Sequence, residues 1–453
     1  MEERRRGGGG ARQLLDWVRQ LRAKAVQGVY DVGAWDAATD ELRGLPLSND
    51  VRACYEEMVA TFPTSVRHWT RYAEIEMSGN SSDNVKAIFG RCLLTCPFLE
   101  LWRLYLGFIK RSNEGKGPEG LSELLKAYEF TLDCVGHDLS AGSLWLEFIS
   151  FLGEPDIGTP AFSALFPSAV AGQEESQRVT VLRRAYQRAI VIPSLSVDML
   201  WKNYERWELQ LGANKMFARK LLDEWRPRYM AAKSALPLRR NRLNGINITL
   251  LPLPPGVGGL LQEQQSLLWR DYVAWEASNV QRLEGAALSE RVSLAYDQCL
   301  LPQVHFPEVW LDYAQWHAQT YNNTAAAVQV MVRSQKALPD CLLLRFSHAD
   351  MEEAAGHMEQ ASLVYEGLVS AIESEQAGTD STERPLDLSV DQAGLVWIQY
   401  MRFLRRTDGN TAARKVGSPT AHTRSGDPRV VQYHPLMGGR QRNDHQERCV
   451  HRS

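Results

Sequence analysis

The sequence has no uninterrupted apolar run that approaches the roughly 18 residues a membrane-spanning helix needs. It also lacks the short motifs that mark common enzymes: G-x-x-x-x-G-K-S/T, G-x-G-x-x-G, G-x-S-x-G and H-E-x-x-H. We therefore expect no membrane span, no cofactor and no catalytic residue. The protein is predicted not to be an enzyme.

Paired cysteines and clustered histidines are missing as well. The seven cysteines are scattered, and Cys92 and Cys96 lie one helical turn apart without a second pair nearby. The histidines before residue 416 are isolated from one another in sequence. These spacings predict neither a disulfide framework nor a metal site, and they are typical of a reducing compartment.

Charge of one sign is not in excess, because the net charge is −3 over 453 residues. That balance gives no global electrostatic case for a nucleic-acid binder, although it leaves a local patch open. A composition of 44% hydrophobic and 23% charged residues is that of a folded protein. The first residues, MEERRRGGGG, lack the apolar stretch of a signal peptide, so we expect a cytosolic or nuclear protein.

A helical hairpin stands out between residues 268 and 302. Trp269, Tyr272 and Glu276 are spaced i, i+3 and i+7, which places them on one face of a helix. A second run with helical spacing follows and reaches Pro302, which is expected to end that helix. Neither helix of such a pair can bury its aromatic face alone.

The same aromatic pattern recurs along the chain, so the sequence predicts an all-α solenoid of stacked hairpins. In the weak eighth unit, Arg345 and His348 stand where the aromatics would be. The predicted repeat signature is Trp69, Tyr72, Glu76, Trp102, Tyr105, Trp145, Trp201, Tyr204, Glu208, Trp269, Tyr272, Glu276, Trp310, Tyr313, Trp397 and Tyr400.

The signature makes two packing predictions. The large aromatics need a small residue opposite them, which Ala127, Ala185 and Ala295 supply on the second helices. A glutamate seven residues after the tryptophan would be costly if it were buried alone. We therefore expect it to meet an arginine or a tyrosine hydroxyl of an adjacent helix.

Shifts in composition divide the chain into five segments. The predicted segments are a disordered start at 1–10, a first repeat block at 11–235, a Pro/Gly-rich linker at 236–262, a partial second block at 263–415 and a disordered tail at 416–453. The linker carries the basic residues Arg239, Arg240 and Arg242. They could contact phosphates, act in nuclear import, or form a solvated loop.

The tail differs in composition from everything before it. It holds six arginines, no lysine, no tryptophan and four of the ten histidines of the chain. Just before it, TAARKV begins the second helix of the ninth hairpin and then breaks off. One hypothesis is a shifted reading frame or a retained intron after about residue 415, and the alternative is a genuine variable tail.

The W-x-x-Y-x-x-x-E helix followed by an A-Y/F helix resembles the half-a-TPR (HAT) repeat. Several strings are similar to the family of HAT-repeat subunits of cleavage stimulation factor (subunit 3). These strings are Leu101–Leu106, Ala127–Gly136, Leu200–Tyr204, Ala295–Leu301 and Val396–Arg406. They occur in the right order over roughly residues 50–410.

The resemblance implies a TPR-like α-α superhelix of HAT repeats in two blocks. It further implies a nuclear scaffold for pre-mRNA 3′-end cleavage and polyadenylation, which reaches RNA through its partners. In that family the C-terminal block forms a homodimer, and a Pro-rich region beyond it holds an RNA-binding subunit and a WD-repeat subunit. Here the second block is incomplete, and no residue matches the partner-binding region.

Two other functions stay open at this point. One is a HAT scaffold of splicing or of ribosome biogenesis. The other is a HAT array that binds RNA directly through the basic linker.

Overall fold

The computed structural model describes residues 47–416, with gaps at 80, 168–171, 212–214 and 378–387, and scattered residues between 12 and 42. Regular structure in this part of the chain is helical throughout, without a strand. The first nine helices are α1 Asn49–Thr61, α2 Val66–Met77, α3 Ser82–Cys92, α4 Leu99–Asn113, α5 Gly117–Val135, α6 Gly142–Gly153, α7 Pro160–Leu165, α8 Glu174–Ile190 and α9 Val197–Gln210.

Nine further helices follow in the described residues. They are α10 Lys215–Leu243, α11 Gly259–Ala277, α12 Ala286–Gln303, α13 Pro307–Tyr321, α14 Thr324–Ala337, α15 Leu342–Ala354, α16 Met358–Ala377, α17 Val390–Thr407 and α18 Asn410–Val416. The chain divides into two compact units, Met1–Ala361 and Ser362–Ser453.

Helices that follow one another in sequence pack together as hairpins. In the first unit α2 packs on α3, α4 on α5, α9 on α10, α11 on α12 and α13 on α14. Contacts from α2 to α4 and from α13 to α15 join neighbouring hairpins. The all-α repeat fold predicted from the aromatic spacing is confirmed.

Local sequence sets the ends of several helices. Ser48 accepts a hydrogen bond from the Val51 amide at the start of α1, and Asn323 does the same for Ala326 at α14. Such caps satisfy amides that the first turn of a helix leaves without a partner. Pro302 lies inside the last turn of α12 rather than beyond it, because the helix continues to Gln303.

The fourth hairpin contains a helical insertion where the composition suggests only a loop. The short helix α7 begins after Thr159, whose side chain caps the Phe162 amide. Phe162 and Leu165 are buried against the hairpin core. The insertion therefore adds buried residues to the hydrophobic core and does not form an exposed loop.

The predicted linker at 236–262 is shorter in the structure. Helix α10 runs 29 residues and includes Pro237, whose ring lies on the exposed side of the helix. Helix α11 already begins at Gly259. Only residues 244–258 connect the two helices, and Leu251 and Leu253 within this connection are buried. The predicted tail at 416–453 lies outside the described residues except for Val416, and the predicted start at 1–10 lies outside them altogether.

Helix α12 contacts the turns that join the earlier hairpins. The Thr64 hydroxyl donates to the Leu301 carbonyl at 2.7 Å. The Gln298 amide donates to the Pro97 carbonyl at 3.3 Å and to the Asp138 carboxylate at 2.8 Å. The end of α12 therefore lies against the first three of these turns.

The beginning of α12 lies against later turns of the same series. His137 and Glu290 approach to 3.3 Å, and Gln281, just before the helix, donates to the Val191 carbonyl at 3.3 Å. Turns early in the first block, near residue 64, contact the end of α12, and turns late in that block, near residue 191, contact the beginning of α12 or the residues just before it. Helix α12 thus ties the second block to the first, and most of its surface is buried.

Candidate interaction site

Four of the signature tryptophans have a polar function in addition to their hydrophobic one. In four hairpins the indole N–H donates to a backbone carbonyl in the turn that precedes the helix. The pairs are Trp69 with Pro63 at 2.7 Å, Trp102 with Cys96 at 3.2 Å, Trp145 with Gly136 at 3.0 Å and Trp310 with Val304 at 2.9 Å. This bond fixes the turn against the helix that follows it.

The signature tyrosines stack on tyrosines of the preceding hairpin. Stacked or tilted pairs with ring centroids less than 6 Å apart occur in both compact units. They are Tyr55 with Tyr72, Tyr186 with Tyr204, Tyr296 with Tyr313 and Tyr365 with Tyr400. Aromatic pairs of this kind stabilise by roughly 0.5–1.5 kcal/mol beyond their buried area. The stacks therefore connect one hairpin to the next.

The signature glutamates are buried and paired with arginines. Arg52 donates to Glu76 at 2.8 Å, and Arg183 donates to Glu208 with a 3.0 Å bond from its Nη2. In both cases the arginine lies on the second helix of the preceding hairpin. The prediction that this carboxylate meets an arginine of an adjacent helix is confirmed at Glu76, Glu208 and Glu276.

A further set of arginines was not recognised from the sequence. Each places its guanidinium over the tryptophan ring of its own hairpin, 5.0 to 5.8 Å from the ring centroid. We call these residues the ladder arginines: Arg91 over Trp69, Arg188 over Trp145, Arg226 over Trp201 and Arg333 over Trp310. Cation–π contacts at such distances are attractive by about 0.5–1 kcal/mol when exposed.

Three ladder arginines also pair with a carboxylate of the preceding hairpin. The ion pairs are Arg91 with Glu56, Arg188 with Asp133 and Arg333 with Asp297, each at 2.8 Å. At two of them the signature tyrosine hydroxyl donates to the same carboxylate, from Tyr72 to Glu56 and from Tyr313 to Asp297. The sequence signal is an acidic residue directly after the stacking tyrosine, as in Tyr55-Glu56 and Tyr296-Asp297.

The electrostatic effect of this arrangement is visible at Glu56. Two hydrogen bonds from Arg91 and one from Tyr72 hold the pKa of the Glu56 carboxyl below its usual value. The favoured form is therefore the carboxylate.

The fifth hairpin departs from this pattern. In this hairpin, α9 with α10, Tyr204 stacks on Tyr186 of the preceding hairpin. The residue after Tyr186 is Gln187, whose amide donates to the Tyr204 hydroxyl at 3.2 Å. Arg226 consequently has no carboxylate of the preceding hairpin at the position used elsewhere. It makes looser contacts with Glu205 at 3.7 Å and Asp223 at 3.8 Å.

The junction between the two blocks holds a buried ionic cluster. Glu276 lies between Arg239 of α10, at 2.9 Å, and Arg291 of α12, at 2.7 Å. The Tyr272 hydroxyl donates to Glu276 at 3.0 Å and accepts from Arg239 at 3.1 Å. All four side chains are less than 5% exposed. Partners of both signs are needed here, because a lone buried charge is costly.

This cluster corrects the prediction for the basic residues of the linker. Arg239 is 1% exposed, so it does not contact phosphates or lie in a solvated loop. Its position on α10 continues the buried face that carries Tyr229 and Ala232. Arg240 is exposed, and Arg242 forms an exposed ion pair with Asp271.

The remaining signature residues lie where the hairpins meet. The tryptophans and tyrosines of the signature are buried, except for Tyr105 and Trp397, which are half-buried. Ala127, Ala185 and Ala295 are buried as well. The signature therefore supports the fold, and the interaction surface must be made of other residues.

A cavity of about 110 Å³ lies between α11, α12 and α13, with Tyr296 and Cys299 in its wall. Small-molecule sites usually enclose roughly 300–1,000 Å³, so this one is too small for a metabolite. No group of three or more His, Cys, Asp or Glu in the described residues is placed to hold a metal ion. Burial raises the pKa of the Cys96 thiol to about 12, which keeps it protonated.

The described helices also include none that is long and apolar enough to cross a membrane. The arrangement as a whole uses its polar side chains to join hairpins to one another.

Comparison with known proteins gives consistent matches. The sequence model of the family described as Suppressor of forked protein matches residues 16–430. Cleavage stimulation factor subunit 77 of Arabidopsis thaliana is 37% identical over 361 residues, which cover 80% of this chain and 44% of the relative. The mRNA 3′-end-processing protein rna-14 of Neurospora crassa is 32% identical over 72% of this chain and 29% of its own length.

Two further matches are similar in kind. Protein suppressor of forked of Drosophila melanogaster is 28% identical, covering 89% of this chain and 55% of the relative. A crystal structure of CstF-77 superposes with a TM-score of 0.46 at 19% identity, over 77% of this chain and 64% of that one. The chain spans between 29% and 55% of the length of the three curated relatives.

Proposed function

Because the chain belongs to the Suppressor of forked protein family, we propose that it is a scaffold of the mRNA 3′-end processing machinery. The match of the family to residues 16–430, which include both helical blocks, is the observation that carries this proposal. The names of the relatives refer to mRNA 3′-end processing and to a cleavage stimulation factor. The site of action is accordingly the nucleus.

The structure supports a scaffold by the way its polar groups are used. The signature glutamates, ladder arginines and indole N–H groups bind within or between neighbouring hairpins. Such bonds hold the array rigid, and a rigid array can present separate surfaces at fixed distances. The expected partners are the other processing subunits, among them an RNA-binding subunit and a WD-repeat subunit, and a second copy of the chain.

Co-purification from nuclear extract tests the proposal. A tagged form of the full chain is used as bait, an unrelated helical-repeat protein serves as the control, and captured proteins are quantified by mass spectrometry. The proposal expects 3′-end processing subunits to be enriched over the control. Enrichment of splicing or ribosome-biogenesis proteins in their place would refute it and favour a different HAT scaffold.

A further inference from the structure

We propose that the fifth hairpin, α9 with α10, binds single-stranded RNA through its exposed cations. The choice of RNA rests on the proposed function, since the relatives are named for mRNA processing. The binding surface shares Arg240 with the predicted basic linker but not Arg239, which is buried. It lies instead along the exposed length of α10 and the adjoining edge of α9.

Four exposed cations of α10 form a stripe along the helix. They are separated by seven residues each, which is two helical turns, so they lie on one side of the helix. Neighbouring cations are about 10 Å apart along the axis, and the stripe extends over roughly 30 Å. We call Arg219, Arg226, Lys233 and Arg240 the basic stripe; all four are exposed.

The surroundings of the stripe are also positive. Between residues 197 and 243 the structure exposes ten lysines and arginines, against four carboxylates at the surface, Asp198, Glu205, Asp223 and Glu224. The whole chain has a net charge of −3, so this excess is local. The ten include Lys202 of α9, one turn after Asp198. A concentrated positive field of this kind attracts a polyanion.

Gln187 lies before this range, and its lack of a carboxylate adds to the local excess of positive charge. At three other hairpins the ladder arginine is neutralised by an acid of the preceding hairpin at 2.8 Å. Two of these acids, Glu56 and Asp297, directly follow the stacking tyrosine. Gln187 occupies that position here, and Arg226 keeps only contacts of 3.7 and 3.8 Å. Arg226 is therefore available to an external anion in a way that Arg91 and Arg333 are not.

The acids that do pair with the stripe do not block it. Lys233 and Asp198 meet at 3.1 Å, but their side chains are about half exposed. Exposed ion pairs of this kind are weak, so a phosphate can replace the carboxylate. Arg226 also lies over Trp201, which holds the guanidinium against the surface before RNA arrives. An arginine plane held in this way can accept a stacked base.

Fluorescence anisotropy with the full chain and a fluorescein-labelled 30-nucleotide uridine RNA tests the inference. In the stripe variant, all four residues of the basic stripe are changed to Gln. The control variant changes four exposed cations of other helices to Gln, namely Lys86, Lys110, Lys126 and Arg184. Thermal unfolding of both variants confirms that the fold is retained.

We expect the stripe variant to bind at least tenfold more weakly than the unchanged chain, and the control variant to bind about as tightly as that chain. The slope of log affinity against log salt concentration should fall by up to about 3 in the stripe variant, since each phosphate contact on a single strand contributes about 0.7. Equal weakening in both variants, or no binding by the unchanged chain at physiological salt, would overturn the inference.

A single substitution tests independently whether the missing acid at position 187 contributes to RNA binding. Gln187→Glu restores the carboxylate found at the other hairpins, and it should weaken RNA binding severalfold while leaving the fold intact. Gln187→Ala removes the amide without adding charge and should leave RNA binding nearly unchanged. Equal effects of the two substitutions would contradict a role for the missing acid.

Two competitors identify the class of ligand. Unlabelled uridine RNA should displace the probe, whereas polyglutamate of the same charge should do so only at much higher concentration. Displacement by polyglutamate at equal charge concentration would show a surface for acidic proteins and overturn the choice of RNA. The stripe variant should still co-purify with processing subunits, so a failure of RNA binding with intact co-purification refutes this inference alone.

Discussion

At the scale of the residue, the indole N–H explains why tryptophan rather than phenylalanine occupies the repeat position. Four tryptophans donate to the turn before their helix, at distances between 2.7 and 3.2 Å. Trp269 is equally buried, but its indole nitrogen has no hydrogen-bond partner. It follows a long connection instead of the short turn found at the other four positions. The two kinds of tryptophan provide a matched comparison.

Trp310→Phe should destabilise the chain more than Trp269→Phe. Both changes remove a similar apolar area, but only the first leaves the Val304 carbonyl without its donor. A buried group left without a partner costs about 1–3 kcal/mol. Urea unfolding followed by circular dichroism measures the difference. Equal losses in the two variants would show that the indole bond has no role.

The buried carboxylate at the junction should be far more sensitive than an exposed one. Glu276→Gln leaves Arg239 and Arg291 facing each other without an anion, and removal of one partner of a buried pair costs about 3–5 kcal/mol. Glu56→Gln breaks an ion pair whose side chains are almost half exposed, which costs less than about 1 kcal/mol. Thermal unfolding of the two variants gives the comparison. A Glu276→Gln variant as stable as Glu56→Gln would contradict the cluster.

The pKa of Glu56 also predicts a dependence on pH. Arg91 lowers this pKa in the folded chain, so the carboxylate stabilises the fold above the ordinary value of 4.5. That contribution is lost as the pH falls below 4.5 and through the lower pKa of the folded state. The Glu56→Gln variant should therefore lose less stability than the unchanged chain between pH 5 and pH 3. Parallel losses over this range would rule the contribution out.

At the scale of the element, the sequence was sufficient to place the hairpins but not their polar partners. Aromatic spacing of i, i+3 and i+7 identifies the first helix of each hairpin, because only a helix brings those positions onto one face. The same spacing could have placed Arg239, which lies seven residues after the buried Ala232. Pro237 and the neighbouring arginines suggested a linker instead. The helix nevertheless continues to Leu243 with Pro237 on its exposed side. Tertiary packing of its buried face therefore determines the structure here, and the local Pro- and Arg-rich sequence does not.

Helix α12 is the element that connects the two blocks. Gln298→Ala would leave the Pro97 carbonyl and the Asp138 carboxylate without their common donor. We expect faster amide hydrogen exchange in the turns around Pro97 and Asp138, with no change in α15. Gln264→Ala, at an exposed position of α11, serves as the control. Unchanged exchange in both turns would show that α12 contributes nothing to holding them.

At the scale of the whole molecule, repetition allowed the fold to be predicted, and departures from repetition mark the functional candidates. Tyrosine stacks, buried glutamates and ladder arginines recur because every hairpin must join its neighbours. Gln187 and Arg239 break that regularity, one at the surface and one at the junction. Neither could be interpreted from the sequence alone, since each depends on a partner more than 15 residues away. The identity of the partners is harder still to predict from the sequence, because partners bind the outer surfaces and the repeat pattern describes only the buried residues.

The central claim is that this chain acts as a scaffold, and a cleavage assay tests it most directly. Nuclear extract is depleted of its endogenous family member, the purified chain is added over a wide concentration range, and cleavage of an RNA with a polyadenylation site is measured. A scaffold should restore cleavage up to an optimum and then inhibit it, because excess copies hold the partners apart. Cleavage that is not restored, or that rises to a plateau as with a catalyst, would contradict the claim.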